Sequence, residues 1–290
     1  MELKTLAEKY LEYLNYEQRA SSATVKSRFY ALKKFRRYLE EKFALKEFEE
    51  LKIYHLRSYI SHLSTEENCR PVSLCSVISA LRSFYSFAVK KGHAESNLAR
   101  KLKKPKVEQK EVEHFTPEEV EKIFLALPRK SSNYLRDLCI LLLFYYCGLR
   151  AEELRNIKVS DFSPDLAELH VEKGKGDKSR LLPVHTFLRR ALKLYLQSRQ
   201  SSSAYLFPGR GEKPLSSGRI YRIVKTCGRR AGITKRVSPH TFRHTFATHL
   251  FRQGVDINRL AQLLGHANIE KTAIYTHTDI EELKKAITLL

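Results

Sequence analysis

Apolar residues recur at intervals of three and four along most of the chain, the spacing that gathers them on one face of a helix. Leu6, Tyr10, Leu11 and Leu14 begin the pattern, and Val25, Phe29, Leu32, Phe35, Tyr38 and Leu39 resume it after a break at Ser21-Ser22. A third helix is predicted over Ile53 to Leu63. A fourth runs from Ser73 through Leu81, Phe84 and Phe87 and stops at Gly92, since glycine adopts the left-handed conformation that ends helices. Leu102-Lys103-Lys104-Pro105-Lys106-Val107 and the charged residues after it break the periodicity. Proline and charge together suit an extended, solvated segment. The reading is a helical domain over 1–107, a linker over 108–114 and a second domain over 115–290.

The second domain opens on Thr116-Pro117-Glu118-Glu119, where Thr116 can cap a helix and Glu119 can complete a capping box. The apolar stretch ending at Gly148 predicts the next helix. The period then shortens, and Ile157-Lys158-Val159, Leu169 to Glu172 and Arg180 to Val184 read as three short strands. The last two flank Gly174-Lys175-Gly176-Asp177, a hairpin turn. After His185 helices are expected throughout, at about 186–199, 216–231, 239–253, 256–264, 268–276 and 279–288. The fold class is therefore mainly α: a helical domain joined to a mixed α/β domain with a small three-stranded antiparallel sheet.

Composition narrows the partner. The 290 residues carry 53 basic against 32 acidic side chains, a formal charge of +21. Such a surplus destabilises a compact state by self-repulsion and suits an anionic partner, nucleic acid or membrane. The longest apolar run, Leu138 to Cys147, has 10 residues, against the roughly 20 that a spanning helix needs. No signal-peptide core follows Met1. Five scattered cysteines without a CxxC pair suit reduced thiols. A cytoplasmic nucleic-acid-binding protein with no membrane contact is the expectation.

Several segments carry candidate chemistry. Gly148-Leu149-Arg150 places an arginine after a helix break, with Glu153 three residues on. On a helix that carboxylate can hold the guanidinium, although most lone Arg/Glu pairs are surface ion pairs. Ser238 begins a helix with His240 and Arg243 in its first turns, and a helix N-terminus with an arginine fork suits phosphate. His240 and His244 have the i, i+4 spacing of two zinc ligands, but Thr241 stands where an HExxH glutamate would be. No metal is expected, and His244 and His249 read as buried, hydrogen-bonded helix residues. Leu264-Gly265-His266 ends one helix, and Tyr275 follows nine residues beyond His266. Alone, Tyr275 among 15 tyrosines would be packing.

Taken in order, Arg150 with Glu153, Lys175 in its hairpin turn, His240-x-x-Arg243, His266 and Tyr275 resemble the tyrosine recombinase (phage integrase) family. The motifs span 115–277, and the helical N-terminal region resembles the family's SAM-like core-binding domain. The two-domain length is similar to the Xer group, since the first helix begins at once and leaves no room for an arm-binding domain.

The resemblance implies a site-specific recombinase that cuts and rejoins DNA through a 3′-phosphotyrosine ester, without metal, ATP or other cofactor. Tyr275 would attack, Arg150, Arg243 and His266 would hold the phosphate, His240 would take or shuttle the tyrosine proton, and Lys175 would protonate the leaving 5′-oxygen. Glu153 would support the cluster. The partners implied are a duplex recombination site, a tetramer of this chain or of this chain with a sister recombinase on two duplexes, and an accessory DNA translocase. Xer-type chromosome dimer resolution is the first reading; a mobile-element integrase, a type IB topoisomerase-like enzyme and a non-catalytic DNA-binding regulator are the rivals. Candidate DNA contacts are Lys26, Lys33, Arg36, Lys103, Lys104, Arg219 and Arg222. The amphipathic segment from Asp279 to Leu290 would pack on its own domain or, as the family resemblance favours, be exchanged between subunits.

Overall fold

The structure is a computed structural model that describes residues 1–107, 113–172, 179–265 and 287–288. The chain divides into two compact units, Met1–Lys110 and Glu111–Leu290.

In the first unit, α1 (Leu3–Tyr16), α2 (Ser22–Phe43), α3 (Ile53–Thr65) and α4 (Pro71–Lys90) enclose one core. The Ser21 side chain caps α2 by accepting from the Thr24 amide at 3.1 Å. Leu6, Tyr10, Phe35, Leu39, Leu56, Ile78, Leu81 and Phe84 are fully buried. The fully buried residues of α2 begin at Leu32, and Val25 packs against the core only partly buried. Phe29 lies exposed, with the Lys33 ammonium 5.9 Å from its ring. Helix α4 is long and apolar enough to cross a membrane by length and composition alone. It lies against α1, α2 and α3 and buries eight side chains there, which accounts for its apolarity.

The second unit is built around α6 (Tyr134–Cys147), in which residues 139–145 and Cys147 are all buried. Helices α5 (Pro117–Leu125), α7 (Ala151–Asn156), α8 (Thr186–Ser198), α9 (Ser217–Arg230), α10 (Pro239–Arg252) and α11 (Ile257–Leu264) surround it. The expected capping box forms at α5: the Glu119 amide donates to Thr116 Oγ1 and the Thr116 amide to Glu119 Oε2. Cys139, Cys147 and Cys227 are buried free thiols. Burial raises their pKa values, Cys147 to about 12 and Cys227 to about 11.

Strands β1 (Glu168–Val171) and β2 (Arg180–Pro183) pair antiparallel, with Leu169 opposite Leu182 and Val171 opposite Arg180. Among the described residues the sheet has two strands rather than three. The expected first strand, 157–159, finds its backbone partners elsewhere. Leu206 donates to the Ile157 carbonyl, Val159 to that of Ala204, and Lys158 bridges Tyr205. The segment between α8 and α9 is accordingly not helical apart from a short turn at Arg210–Glu212. Arg199 holds it by donating to the carbonyls of Ser201, Ser203 and Tyr205. The helices expected near 268–276 and 279–288 fall outside the described residues except for Ile287 and Thr288. Ile287 is buried in the core of its own unit.

Candidate active site

Helix α6 stops at Gly148, whose left-handed φ of 55° has a packing reason as well. A Cβ there would stand 2.5 Å from the Phe246 ring of α10. The reversal frees the Gly148 carbonyl, which accepts from Arg243 Nη1 at 2.7 Å. Two residues on, Arg150 caps α7. Glu153, in the first turn, accepts from the Arg150 amide at 2.7 Å and from Arg150 Nη1 at 2.9 Å.

Helix α10 starts at a Ser238 cap, as its sequence predicts, with the Thr241 amide donating to Ser238 Oγ at 3.2 Å. Arg243 lies one turn in and is buried. Its second nitrogen donates to the Leu264 carbonyl at the end of α11, 2.5 Å away, and its Nη1 lies 3.8 Å from Glu153.

A third guanidinium completes the cluster. Arg180, the first residue of β2, donates from Nη1 and Nη2 to the two oxygens of Glu153 at 2.9 and 3.0 Å. Its Nε donates to the Leu263 carbonyl at 2.8 Å. Burial alone would raise the Glu153 pKa, but hydrogen bonds and charge from Arg180, together with the Arg150 amide and charge, prevail and hold it below the ordinary range. Glu153 is thus ionised at neutral pH. Three arginines against one carboxylate leave two positive charges, and Arg150 keeps 36% of its side chain accessible. The arrangement can receive an anion and offer it planar donor forks.

His240 is exposed in the first turn of α10, its Nε2 3.0 Å from His244 Nε2. His244 is only half-buried and faces His240, rather than lying in the core as expected. His249 does lie in the core. Its Nε2 donates to the Phe115 carbonyl at 2.8 Å, and its Nδ1 lies 3.3 Å from the Tyr145 hydroxyl. Burial is the main cause that lowers its pKa. Among the described residues no group of three or more His, Cys, Asp or Glu side chains is placed to hold a metal.

Of the residues expected at the site, Arg150, Glu153 and Arg243 come together, and His240 stands on the same helix as Arg243. Lys175, His266 and Tyr275 lie outside the described residues. Lys26, Lys33, Lys103, Lys104, Arg219 and Arg222 are exposed, while Arg36 is half-buried and pairs with Glu40 at 3.3 Å. On α9 the basic side chains Arg219, Arg222 and Lys225 lie opposite the buried Ile220, Ile223, Val224 and Cys227.

Arg180 was not anticipated, although β2 carries a signal for it. Strand parity places residue 180 on the same face as Leu182, which is fully buried. A charged residue at an inward strand position needs a buried counter-charge.

Residues 113–282 match the phage integrase family, and residues 7–92 match its N-terminal SAM-like domain. The chain belongs to the phage integrase family. It is a tyrosine recombinase. Tyrosine recombinase XerA of Thermococcus onnurineus is 37% identical over 287 residues, covering 98% of this chain and 94% of that protein. The recombinase shares its fold with XerH bound to its difH substrate in a pre-cleavage complex (TM-score 0.69, 23% identity, 97% of this chain and 82% of that one). It also shares its fold with a lambda integrase tetramer bound to a Holliday junction (TM-score 0.73, 18% identity, 97% and 81%).

Proposed function

We propose that the protein is a Xer-type site-specific recombinase that acts in the cytoplasm on a duplex DNA site as a tetramer, in the service of chromosome dimer resolution. The observation that carries the reading is the buried carboxylate of Glu153 gripped by arginines from α7, β2 and α10.

A phosphodiester resists attack because its charge repels nucleophiles and its leaving alkoxide is basic. Arg150 and Arg243, aimed by Glu153 and by the Gly148 and Leu264 carbonyls, neutralise the phosphoryl oxygens. His266 adds a hydrogen bond. His240 takes the proton of Tyr275 as its oxygen bonds to phosphorus, and His244 shares the load through its 3.0 Å contact. Lys175 gives a proton to the departing 5′-oxygen. The phosphotyrosine ester retains the bond energy, so a 5′-hydroxyl from another strand reverses the step without ATP. Exposed basic side chains on α2 and α9, with Lys103 and Lys104, bind the DNA backbone.

The test is trapping on nicked suicide substrates drawn from a library of candidate sites. Covalent capture confined to one family of sites is expected. Capture without site preference would indicate a topoisomerase-like enzyme, and no capture would indicate a non-catalytic DNA-binding protein.

A further inference from the structure

Arg180 is as buried as Arg243: 7% of each side chain is accessible, against 36% for Arg150. It occupies an inward position on β2, opposite Val171 in the hairpin register. A well-packed apolar side chain would serve a small sheet at that position at least as well.

The guanidinium instead spends its three nitrogens on three fixed acceptors: both oxygens of Glu153 and the Leu263 carbonyl. Each contact leads to a segment that carries reaction chemistry. Glu153 holds the guanidinium and amide of Arg150. Leu263 lies in the last turn of α11, next to the Leu264 carbonyl that Arg243 uses and three residues before His266. Arg180 itself follows Lys175 by five residues in the sequence.

The backbone makes room for this arrangement. Gly265, with φ of 64°, lies so close that a Cβ there would stand 2.8 Å from Arg180 Nη1. The glycine therefore both ends α11 and admits the guanidinium.

We infer that Arg180 is a positioning residue for strand cleavage: its buried fork fixes α7, β2 and the end of α11 relative to one another, so that the groups they carry meet one phosphate. The inference rests on the recombinase reading above. It also explains why arginine stands there. Lysine would supply the charge but not three coplanar donors.

The experiment compares wild type, Arg180→Met and Arg180→Lys in single-turnover cleavage of a suicide substrate, with half-site affinity and melting temperature measured alongside. Both variants are expected to bind a half-site within about threefold of wild type. Cleavage should be slower by roughly 100-fold in Arg180→Met, the scale of a displacement of about 1 Å at a reacting centre. Arg180→Lys should recover less than a tenth of the wild-type rate. The defect should persist on DNA with a 5′-bridging sulfur, because the phosphoryl-holding groups are the ones displaced. Adding Arg180→Met to Glu153→Gln should cost less than it costs in wild type, since the Arg180–Glu153 link is already weakened there. Wild-type cleavage by either variant would overturn the inference and leave the recombinase reading intact. A loss of half-site affinity that matches the loss of cleavage would also overturn it, as would equal additive effects in the double variant. If Arg180→Met does not fold, Arg180→Lys decides: slow cleavage at near-wild-type melting temperature supports the positioning role, and normal cleavage refutes it. Absence of any adduct with wild type would instead overturn the recombinase reading on which the inference stands.

Discussion

Replacing Glu153 by alanine should unfold the catalytic unit far more readily than an ordinary substitution. The carboxylate accepts from the Arg150 amide and guanidinium and from both terminal nitrogens of Arg180, at 2.7 to 3.0 Å. Its side chain is 10% accessible, and those of Arg180 and Arg243 are 7%. Without the carboxylate, two buried guanidinium groups face each other with no anion between them. Removing one partner of a buried pair costs about 3–5 kcal/mol. For a domain of roughly 150–250 residues that corresponds to a melting temperature lower by about 6–20 °C. Glu153→Gln keeps one acceptor but turns an amide donor towards a guanidinium, so its loss should be intermediate. The acid limb has a defined sign. The folded-state pKa of Glu153 lies below its ordinary value of 4.5, so its contribution is complete above pH 4.5 and disappears as pH falls through the folded value. Calorimetry of wild type and Glu153→Ala from pH 7 to pH 3 should show a wide gap that closes in acid. A gap below about 2 °C at pH 7 would refute the claim that the arginines depend on this carboxylate.

The other predictions concern the backbone and the proton carriers. Gly148→Ala should cost about 1–2 kcal/mol for the left-handed backbone and roughly 1–3 kcal/mol for overpacking against Phe246. Urea unfolding would count against it if stability changed by less than about 0.5 kcal/mol. His249 has a folded-state pKa below 6.5, so its contribution is complete above about pH 6.5 and is lost as pH falls through the folded value. Wild type should therefore lose more stability between pH 7 and pH 5 than His249→Gln, and equal losses would assign the effect to other groups. Lys175→Ala should slow cleavage strongly on ordinary DNA and much less on DNA with a 5′-bridging sulfur, because a thiolate leaves without a proton. Equal defects on the two substrates would remove Lys175 from the acid role.

The features legible in the sequence were those set by local chemistry. Thr116 and Glu119 announced the start of α5, Ser238 that of α10, and Gly148 the end of α6. Each depends on contacts within a few residues or on one backbone angle. The features that were not legible depend on partners distant in the chain. Residues 157–159 have strand-like composition, yet bond to 204–206 instead of joining the hairpin. Phe29 continues the period of α2, yet it lies exposed beside Lys33 while Val25 and Leu32 on either side of it pack against the core. Arg180 shows the limit most clearly. Its inward strand position hinted at a buried counter-charge, but nothing in the local sequence identified that counter-charge as Glu153, 27 residues earlier. The Arg243 contacts to the Gly148 and Leu264 carbonyls likewise emerge only when α6, α10 and α11 meet.

Tyr275 is the proposed nucleophile of the recombinase. That role is tested by trapping wild-type protein and Tyr275→Phe on the same nicked site, digesting the adducts and locating the nucleotide-bearing peptide by mass spectrometry. Wild type should carry a 3′-phosphonucleotide on Tyr275. Tyr275→Phe should yield no adduct, with its affinity for the site unchanged. An adduct that persists in the variant, or that maps to another residue such as Tyr145, Tyr146 or Tyr221, would assign the nucleophile elsewhere.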